Sequence, residues 1–398
     1  MKEVKIPKII IFGLFAVLLF TGFFTVFAAA EGTSFDDAKE ISEGTFSGTV
    51  NTSYYYKVNV PAYKAILVTL EAGTDSEVYL IMYSESKQEV ASAWVSNGEA
   101  DRVFYDGKST TDYLIYLKIK NEKFIIPSEY TIKVEFRPSD VMSGAELIND
   151  GQTISDTLKA SGEVHWYKVN VPAYKAILVT LEAGTNSDVY LTMYSESKQQ
   201  VGLGAWASNG EADKEFYDGK STTDYLIYLK ISNEKIGTSE YTIKVESRPS
   251  DVMSGAELIN DGQKISNTLK ASLEVHWYKI NVPKGEILNV SFSSSGGEIM
   301  VTLYDEKGEA IDLNEGTSGY VDTKLLGQSG TIYIKVTSFE FQNQDVSYTI
   351  TPKLVKGSSE VEEAATGFSM MYIGGVLVVI IVIVLIVYLI VRKKKGSS

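Results

Sequence analysis

One strand-like stretch occurs three times in this chain at a spacing of 111 residues, and no other feature constrains the fold as tightly. His165-Trp166-Tyr167-Lys168-Val169-Asn170-Val171-Pro172 returns as His276-Trp277-Tyr278-Lys279-Ile280-Asn281-Val282-Pro283. It stands earlier as Tyr54-Tyr55-Tyr56-Lys57-Val58-Asn59-Val60-Pro61. A period that long is too large for a solenoid unit and suits a whole small domain. The repeats run over residues 33–137, 141–248 and 252–355. The first two are near copies: Pro61 to Thr74 equals Pro172 to Thr185, and Phe104 to Ile119 equals Phe216 to Ile231, without a change. The third keeps the apolar pattern and alters most other letters, so what all three share reports the fold.

Within each repeat the apolar residues alternate, which is the period of a strand with one buried face. Tyr167, Val169 and Val171 fall on one side and Trp166, Lys168 and Asn170 on the other. Ile66, Val68 and Leu70 alternate in the same way and are answered in the third repeat by Leu288, Val290 and Phe292. Val78, Leu80 and Met82 match Ile299, Val301 and Leu303. Ile115, Leu117 and Ile119, then Tyr130, Ile132 and Val134, complete the set. Asn97-Gly98, Asp106-Gly107, Asp150-Gly151 and Asp261-Gly262 are turn signals. Many short strands with this alternation imply antiparallel sheets packed as a two-layer sandwich. One short helical turn is expected at residues 143–148 and again at 254–259. The fold class is therefore all-β: three tandem antiparallel sandwiches. The linkers Arg137-Pro138-Ser139-Asp140 and Arg248-Pro249-Ser250-Asp251 are the same tetrapeptide. Proline stiffens each, which predicts a similar relation between successive repeats.

The two ends carry a different pattern. Lys2, Lys5 and Lys8, an apolar run from Ile9 to Phe27, and Ala28-Ala29-Ala30 read as a signal peptide over residues 1–30, with an uncleaved anchor as the alternative. Met371 to Val391 is uncharged over 21 residues, long enough for a transmembrane helix. Arg392-Lys393-Lys394-Lys395 follows, placing the 392–398 tail on the cytoplasmic side and the repeats outside. Residues 356–370 read as a flexible acidic stalk. Residues 1–30 and 392–398 hold seven Lys/Arg and one acid; the remainder has 30 basic and 50 acidic residues, a net charge of -20. That balance argues against nucleic acid as a partner. There is no cysteine, so no disulfide framework supports the repeats and each depends on its own core.

The shared residues resemble the bacterial and archaeal pre-peptidase C-terminal domain. The marks are an opening Ala-x-x-Ile-like segment (Ala38 to Ile41, Ala145 to Ile148, Ala256 to Ile259), the Trp-Tyr-Lys-Val-Asn-Val-Pro strand, a Val-Tyr-Leu-x-Met-Tyr strand and a closing Tyr-Thr-Ile-Lys-Val strand. The resemblance covers nearly all of residues 33–355. It implies a jelly-roll-like sandwich on secreted or surface proteins, often beside proteases, used for binding, targeting or processing; some relatives bind calcium or polymeric substrates. The family typically has an Asp before the Trp-Tyr pair, where this chain has His165, His276 and Tyr54.

Candidate chemistry is sparse. The two histidines, His165 and His276, recur at one position per repeat, and neither the Gly-x-Ser-x-Gly nor the His-Glu-x-x-His pattern is present. No catalytic residue and no cofactor are expected, and one histidine per repeat does not make a zinc site. Trp166 and Trp277 alternate onto the face away from the core. Packing against the neighbouring linker is the first reading for them, an aromatic platform for a sugar or peptide the second. Trp94 and Trp206 sit among small residues before a Gly turn and have no counterpart in the third repeat; core packing is the first reading and a repeated contact surface the second. The acids in Phe35-Asp36-Asp37, Asn149-Asp150-Gly151 and Asn260-Asp261-Gly262 offer too few oxygens for a calcium loop by themselves; solvated turn acids are the first reading and calcium ligands the second. Outward Tyr79, Tyr83, Tyr116, Tyr190, Tyr194 and Tyr228 form strand-surface ladders. Asn51 and Asn289 stand in glycosylation sequons. These features together predict a non-enzymatic, single-pass surface protein that binds a glycan, peptide or protein, with an envelope structural or accessory subunit as the alternative.

Overall fold

The computed structural model describes residues 32–123, 125–271, 273–323, 329–338 and 345–356. The leader, most of the stalk, the apolar 371–391 segment and the basic tail lie outside the described residues. No helix among those described is long and apolar enough to cross a membrane.

Each repeat is a sandwich of nine strands, illustrated by the first: β1 (Lys39–Ile41), β2 (Gly44–Val50), β3 (Ser53–Val60), β4 (Lys64–Ala72), β5 (Glu77–Ser84), β6 (Glu89–Ser96), β7 (Ala100–Tyr105), β8 (Tyr113–Asn121) and β9 (Ser128–Pro138). One sheet has the order β1-β3-β8-β5-β6 and the other β2-β9-β4-β7; the second and third repeats reproduce both orders. The chain passes back and forth between the layers, so sequence neighbours such as β3 and β4 lie in opposite sheets. The inward residues of both sheets close three separate cores. One runs through Val58, Leu70, Leu80, Ile115, Leu117 and Ile119. Its counterparts centre on Val169, Leu181 and Leu191, and on Ile280, Val290 and Leu303. No buried residue is shared between them.

Two local expectations change. The sheets are antiparallel except at one edge, where β1 runs parallel to β3 with Ile41 opposite Val58. A parallel pair needs a crossover, and β2 supplies it by running back in the opposite sheet. The helical turn expected at 143–148 is a single 3-10 turn at Met142–Gly144, and its copy is Met253–Gly255. Beyond it Ala145 is extended, and Glu146–Leu147 pairs in parallel with Tyr167 and Lys168. Extended backbone wins there because the Ile148 N–H reaches the Lys168 carbonyl at 3.0 Å while Ile148 enters the core.

The turn signals also divide. Asn97 and Gly98 both adopt left-handed φ, 50° and 82°, and make the turn that carries the chain from β6 to β7 in the opposite sheet, so this Asn-Gly is a turn without being a hairpin. Asp106-Gly107 is not a hairpin; its carboxylate is used by the linker. The strands Lys64–Ala72 and Lys175–Ala183, central in their four-stranded sheets, carry the same nine residues.

Candidate functional site

The two junctions between repeats share one design, and they gather both histidines and two of the four tryptophans. Arg137, at the end of β9, leaves the first repeat. Its Nε–H donates to Glu163 Oε1 at 2.6 Å and its Nη2–H to the Thr157 carbonyl at 2.7 Å. Glu163 is fully buried. Its Oε2 accepts the backbone N–H groups of Lys159 and Ala160 at 2.6 and 3.2 Å. His165 continues the chain of bonds: Nε2 lies 3.0 Å from Glu163 Oε1, and Nδ1 lies 2.6 Å from the Tyr241 hydroxyl and 3.2 Å from Asp156 Oδ2. Tyr241 in turn bonds Tyr167 at 2.6 Å. The second junction repeats the set with Arg248, Glu274, His276, Tyr348 and Tyr278. In the first repeat the Tyr56 and Tyr130 hydroxyls pair at 2.5 Å, and Tyr54 stands in place of histidine.

The electrostatics follow from this geometry. Burial pushes the His165 pKa down, but hydrogen bonds with Asp156 and Glu163 outweigh it and hold the imidazole above its ordinary value. Burial pushes Glu163 up, and His165 and Arg137 more than offset it, leaving the carboxyl low; Asp156 is lowered in the same way by His165. Burial raises Tyr167 to about 12 and Tyr241 well above its normal range. The imidazoles are 2% and 1% exposed, and each is bonded on both ring nitrogens to protein groups. What this arrangement does is lock a linker onto the repeat that follows it.

Trp166 and Trp277 belong to the same junctions. The Trp166 Nε1–H donates to Asp140 of the linker at 2.8 Å, and Trp277 does the same to Asp251 at 2.9 Å. Asp140 also receives Lys108 at 2.9 Å and Lys230 at 3.1 Å, so one carboxylate joins the two repeats. Lys230 stands 5.5 Å over the Trp166 ring, and Tyr194 packs beneath at 5.3 Å between centroids. Trp166 is 9% exposed and rests on Ala145 and Met142. Neither ring is an open platform; the linker covers the outward face of the strand. Phe35 plays the covering part in the first repeat, edge-on to Tyr55, Tyr83 and Tyr116.

Sequence reasoning passed over two groups here. Asp106 accepts Ser139 Oγ at 2.5 Å and the Asp140 N–H at 2.6 Å, and Asp218 does the same for Ser250 and Asp251. Glu163 and Glu274 were the other omission. A signal existed: Glu-Val-His-Trp is present only in the two repeats that follow an Arg-Pro-Ser-Asp linker.

Trp94 and Trp206 are elsewhere. They are 51% and 53% exposed, so the core reading is corrected. Trp94 lies opposite Tyr79 on the outer face of the five-stranded sheet, and Trp206 opposite Tyr190. In the third repeat the pair is Met300 and Glu315. The second repeat adds a bulge, Gly202-Leu203-Gly204, with both glycines at positive φ. The bulge is fixed by the Tyr190 hydroxyl on the Leu203 carbonyl and by buried Glu215, which accepts the Leu203 N–H at 2.7 Å and whose pKa burial raises.

The remaining candidates are dispersed. Asn51 is exposed in the turn between β2 and β3, and Asn289 is half-buried. The acids weighed for calcium serve local backbone: Asp37 accepts the N–H groups of Thr33 and Ser34, Asp150 that of Ser247, and Asp261 that of Leu354. Among the described residues no group of three or more His, Asp or Glu is placed to hold a metal ion.

The fold and these sites define a tandem array of all-β, jelly-roll-like sandwiches joined by duplicated buried polar junctions. No family model matches the sequence, and no curated protein matches it. Among solved structures, the chain is similar to the pre-peptidase C-terminal domain of a collagenase from Bacillus anthracis, at 20% identity and TM-score 0.21, covering 26% of this chain and 94% of that one. It is similar to a triple jelly-roll protein of an archaeal virus at 9% identity and TM-score 0.19, covering 76% and 81% of the two chains. A tandem CBM22 pair of Xyn10C from Paenibacillus barcinonensis matches at 8% identity and TM-score 0.18, covering 53% and 99%. At such slight similarity, nothing about ligand or activity follows from these likenesses.

Proposed function

We propose that this chain is a non-enzymatic surface-binding or adhesion protein. It presents three sandwiches of pre-peptidase C-terminal type outside a membrane crossed by Met371 to Val391, after a leader over residues 1–30. The observation that carries this reading is the pair of exposed indoles, Trp94 and Trp206, each opposite a half-buried tyrosine, Tyr79 or Tyr190, on near-identical repeats. An indole beside a phenol on a flat sheet offers a stacking surface for a sugar ring or a peptide side chain. Two such couples joined by stiff linkers favour a ligand with repeated units, because the second contact becomes intramolecular. The full-length chain in lipid nanodiscs would be assayed against envelope glycans, peptides and neighbouring surface proteins. Saturable binding lost on Trp94→Ala with Trp206→Ala supports the reading; no saturable binding to any of them defeats it.

A second reading is an envelope structural or accessory subunit that acts by spacing and lateral assembly, and the buried junctions favour it because they stiffen the array. Cross-linking on intact cells separates the two. A regular homotypic ladder favours assembly, and a foreign partner favours recognition.

A further inference from the structure

The two junctions also differ around a cleft, and the difference points to a ligand group. A cleft of about 800 Å³ lies between the first and second repeats, lined by Ala91, Arg102 and Val103 on one side and Lys159, Ala160 and Ile236 on the other, among others. Domain interfaces commonly hold ligand clefts of ~300–1,000 Å³. Arg102 and Lys214 are equivalent residues, in Ala-Asp-Arg-Val-Phe-Tyr and Ala-Asp-Lys-Glu-Phe-Tyr. Each reaches the carbonyl of the same linking residue in the next repeat, Lys159 or Lys270, at 3.5 Å.

At the second junction Lys214 Nζ is also seated on a carboxylate, Asp345 Oδ1 of the third repeat, at 2.9 Å. Asp345 immediately precedes the last strand, Val346–Lys356. The residue preceding the corresponding strand of the second repeat, Ser239–Pro249, is Thr238. The first junction therefore has no built-in acid there, and Arg102 has no carboxylate at ion-pair distance among the described residues. Other charges in the cleft are engaged: Lys159 is held by Glu135 at 2.7 Å, and Asp101 accepts the Arg102 backbone N–H at 2.7 Å. Ile236 is 92% exposed at the rim beside small Ala91.

We propose that this cleft is a binding site for a short acidic peptide segment, whose carboxylate takes on Arg102 the place that Asp345 takes on Lys214 and whose neighbouring aliphatic group rests on Ile236. A guanidinium suits this because its two-pronged donor geometry matches a carboxylate. A peptide is favoured over an acidic sugar because the group seated at the second junction is itself an aspartate on a loop. The surrounding net charge of -20 repels polyanions, so a segment with one or two acids fits best. The site goes beyond the aromatic surface and does not depend on it.

The test uses the full-length chain in detergent micelles and a labelled hexapeptide with one central aspartate flanked by alanine and leucine, beside its asparagine counterpart, read by fluorescence anisotropy. The aspartate peptide is expected to bind about ten-fold tighter than the asparagine peptide, the size of one charge-assisted contact. Arg102→Gln removes the difference with an unchanged melting midpoint, and Arg102→Lys keeps part of it. Asp345→Asn frees Lys214 and raises the stoichiometry from one peptide per chain to two. Equal binding of the two peptides, indifference to Arg102→Gln, absence of saturable binding, or a stoichiometry that stays at one in Asp345→Asn each overturns the proposal. So does preferential binding of a uronic-acid oligosaccharide that competes the peptide away.

Discussion

Arg137 and Glu163 belong to different sandwiches, yet their side chains meet at 2.6 Å, with the guanidinium 14% exposed and the carboxylate fully buried. Burying such a pair costs desolvation that its attraction only roughly offsets, but removing one partner strands the other. Arg137→Ala is therefore expected to destabilise the second repeat by about 3 kcal/mol, because Glu163 keeps its burial and loses its cation. Adding Glu163→Gln should recover part of that loss. Urea denaturation of the single and double variants measures both; equal loss in the two would contradict the assignment.

The same junction gives a pH dependence. His165 has a raised pKa when folded, so its contribution is complete below its ordinary value of 6.5 and is lost as pH rises through the folded value. Glu163 and Asp156 have lowered pKa values, so their contributions are present above about the ordinary values of 4.5 and 3.8 and are lost as pH falls through the folded ones. The junction is expected to be firmest in the mildly acidic window between these limits and to loosen toward alkaline pH. Melting midpoints from about pH 5 to about pH 9 would follow this trend in the native chain, and His165→Gln should flatten it. Asp156→Asn, which copies the Asn267 of the second junction, should weaken the alkaline slope.

Gly144 is fixed by the neighbour it faces. A Cβ at this position would stand 2.8 Å from the Tyr63 Cβ, and at Gly255 the corresponding atom would stand 2.7 Å from that of Tyr174. Neither tyrosine has room to swing away at its Cβ, so Gly144→Ala must shift the linker. The expected cost is about 1–3 kcal/mol. Because Trp166 packs on the same linker, its fluorescence should move toward the red; an unshifted spectrum with unchanged stability would show that the contact is slack.

Trp94→Ala and Trp206→Ala are expected to leave stability within about 0.5 kcal/mol, since both side chains lie outside the core and about half in solvent. The contrast is Trp166→Ala, which removes a nearly covered ring and the Asp140 hydrogen bond and should cost about 3 kcal/mol. Thermal melts of the three variants test the division between surface and junction. A large destabilisation by Trp94→Ala would mean that the ring supports the fold.

The inward faces were legible because alternation is set by each sheet's own pleat. Val68, Leu70, Leu80 and Ile132 are all buried where period two placed them. Alternation does not register what the next sandwich covers. Leu67 falls on the outward phase of β4, yet it is completely buried. It lies in register between Phe104 and Glu135, and Glu135 is tied to Lys159 of the second repeat. Leu178 is buried likewise, whereas Asn289, in the last described sandwich, is half-exposed. The junction network escaped for the same reason: its members come from two repeats, and no pattern inside either one pairs them.

The shared nine residues of Lys64–Ala72 and Lys175–Ala183 have a consequence for how the chain reaches its native state. Either segment satisfies the central slot of either neighbouring sandwich, so a growing chain can trade them and become trapped with the two units entangled. The third unit, with Glu286–Ser295 in that slot, is exempt from the exchange, and the correct pairing of the first two depends on each being completed before the other competes for its strand.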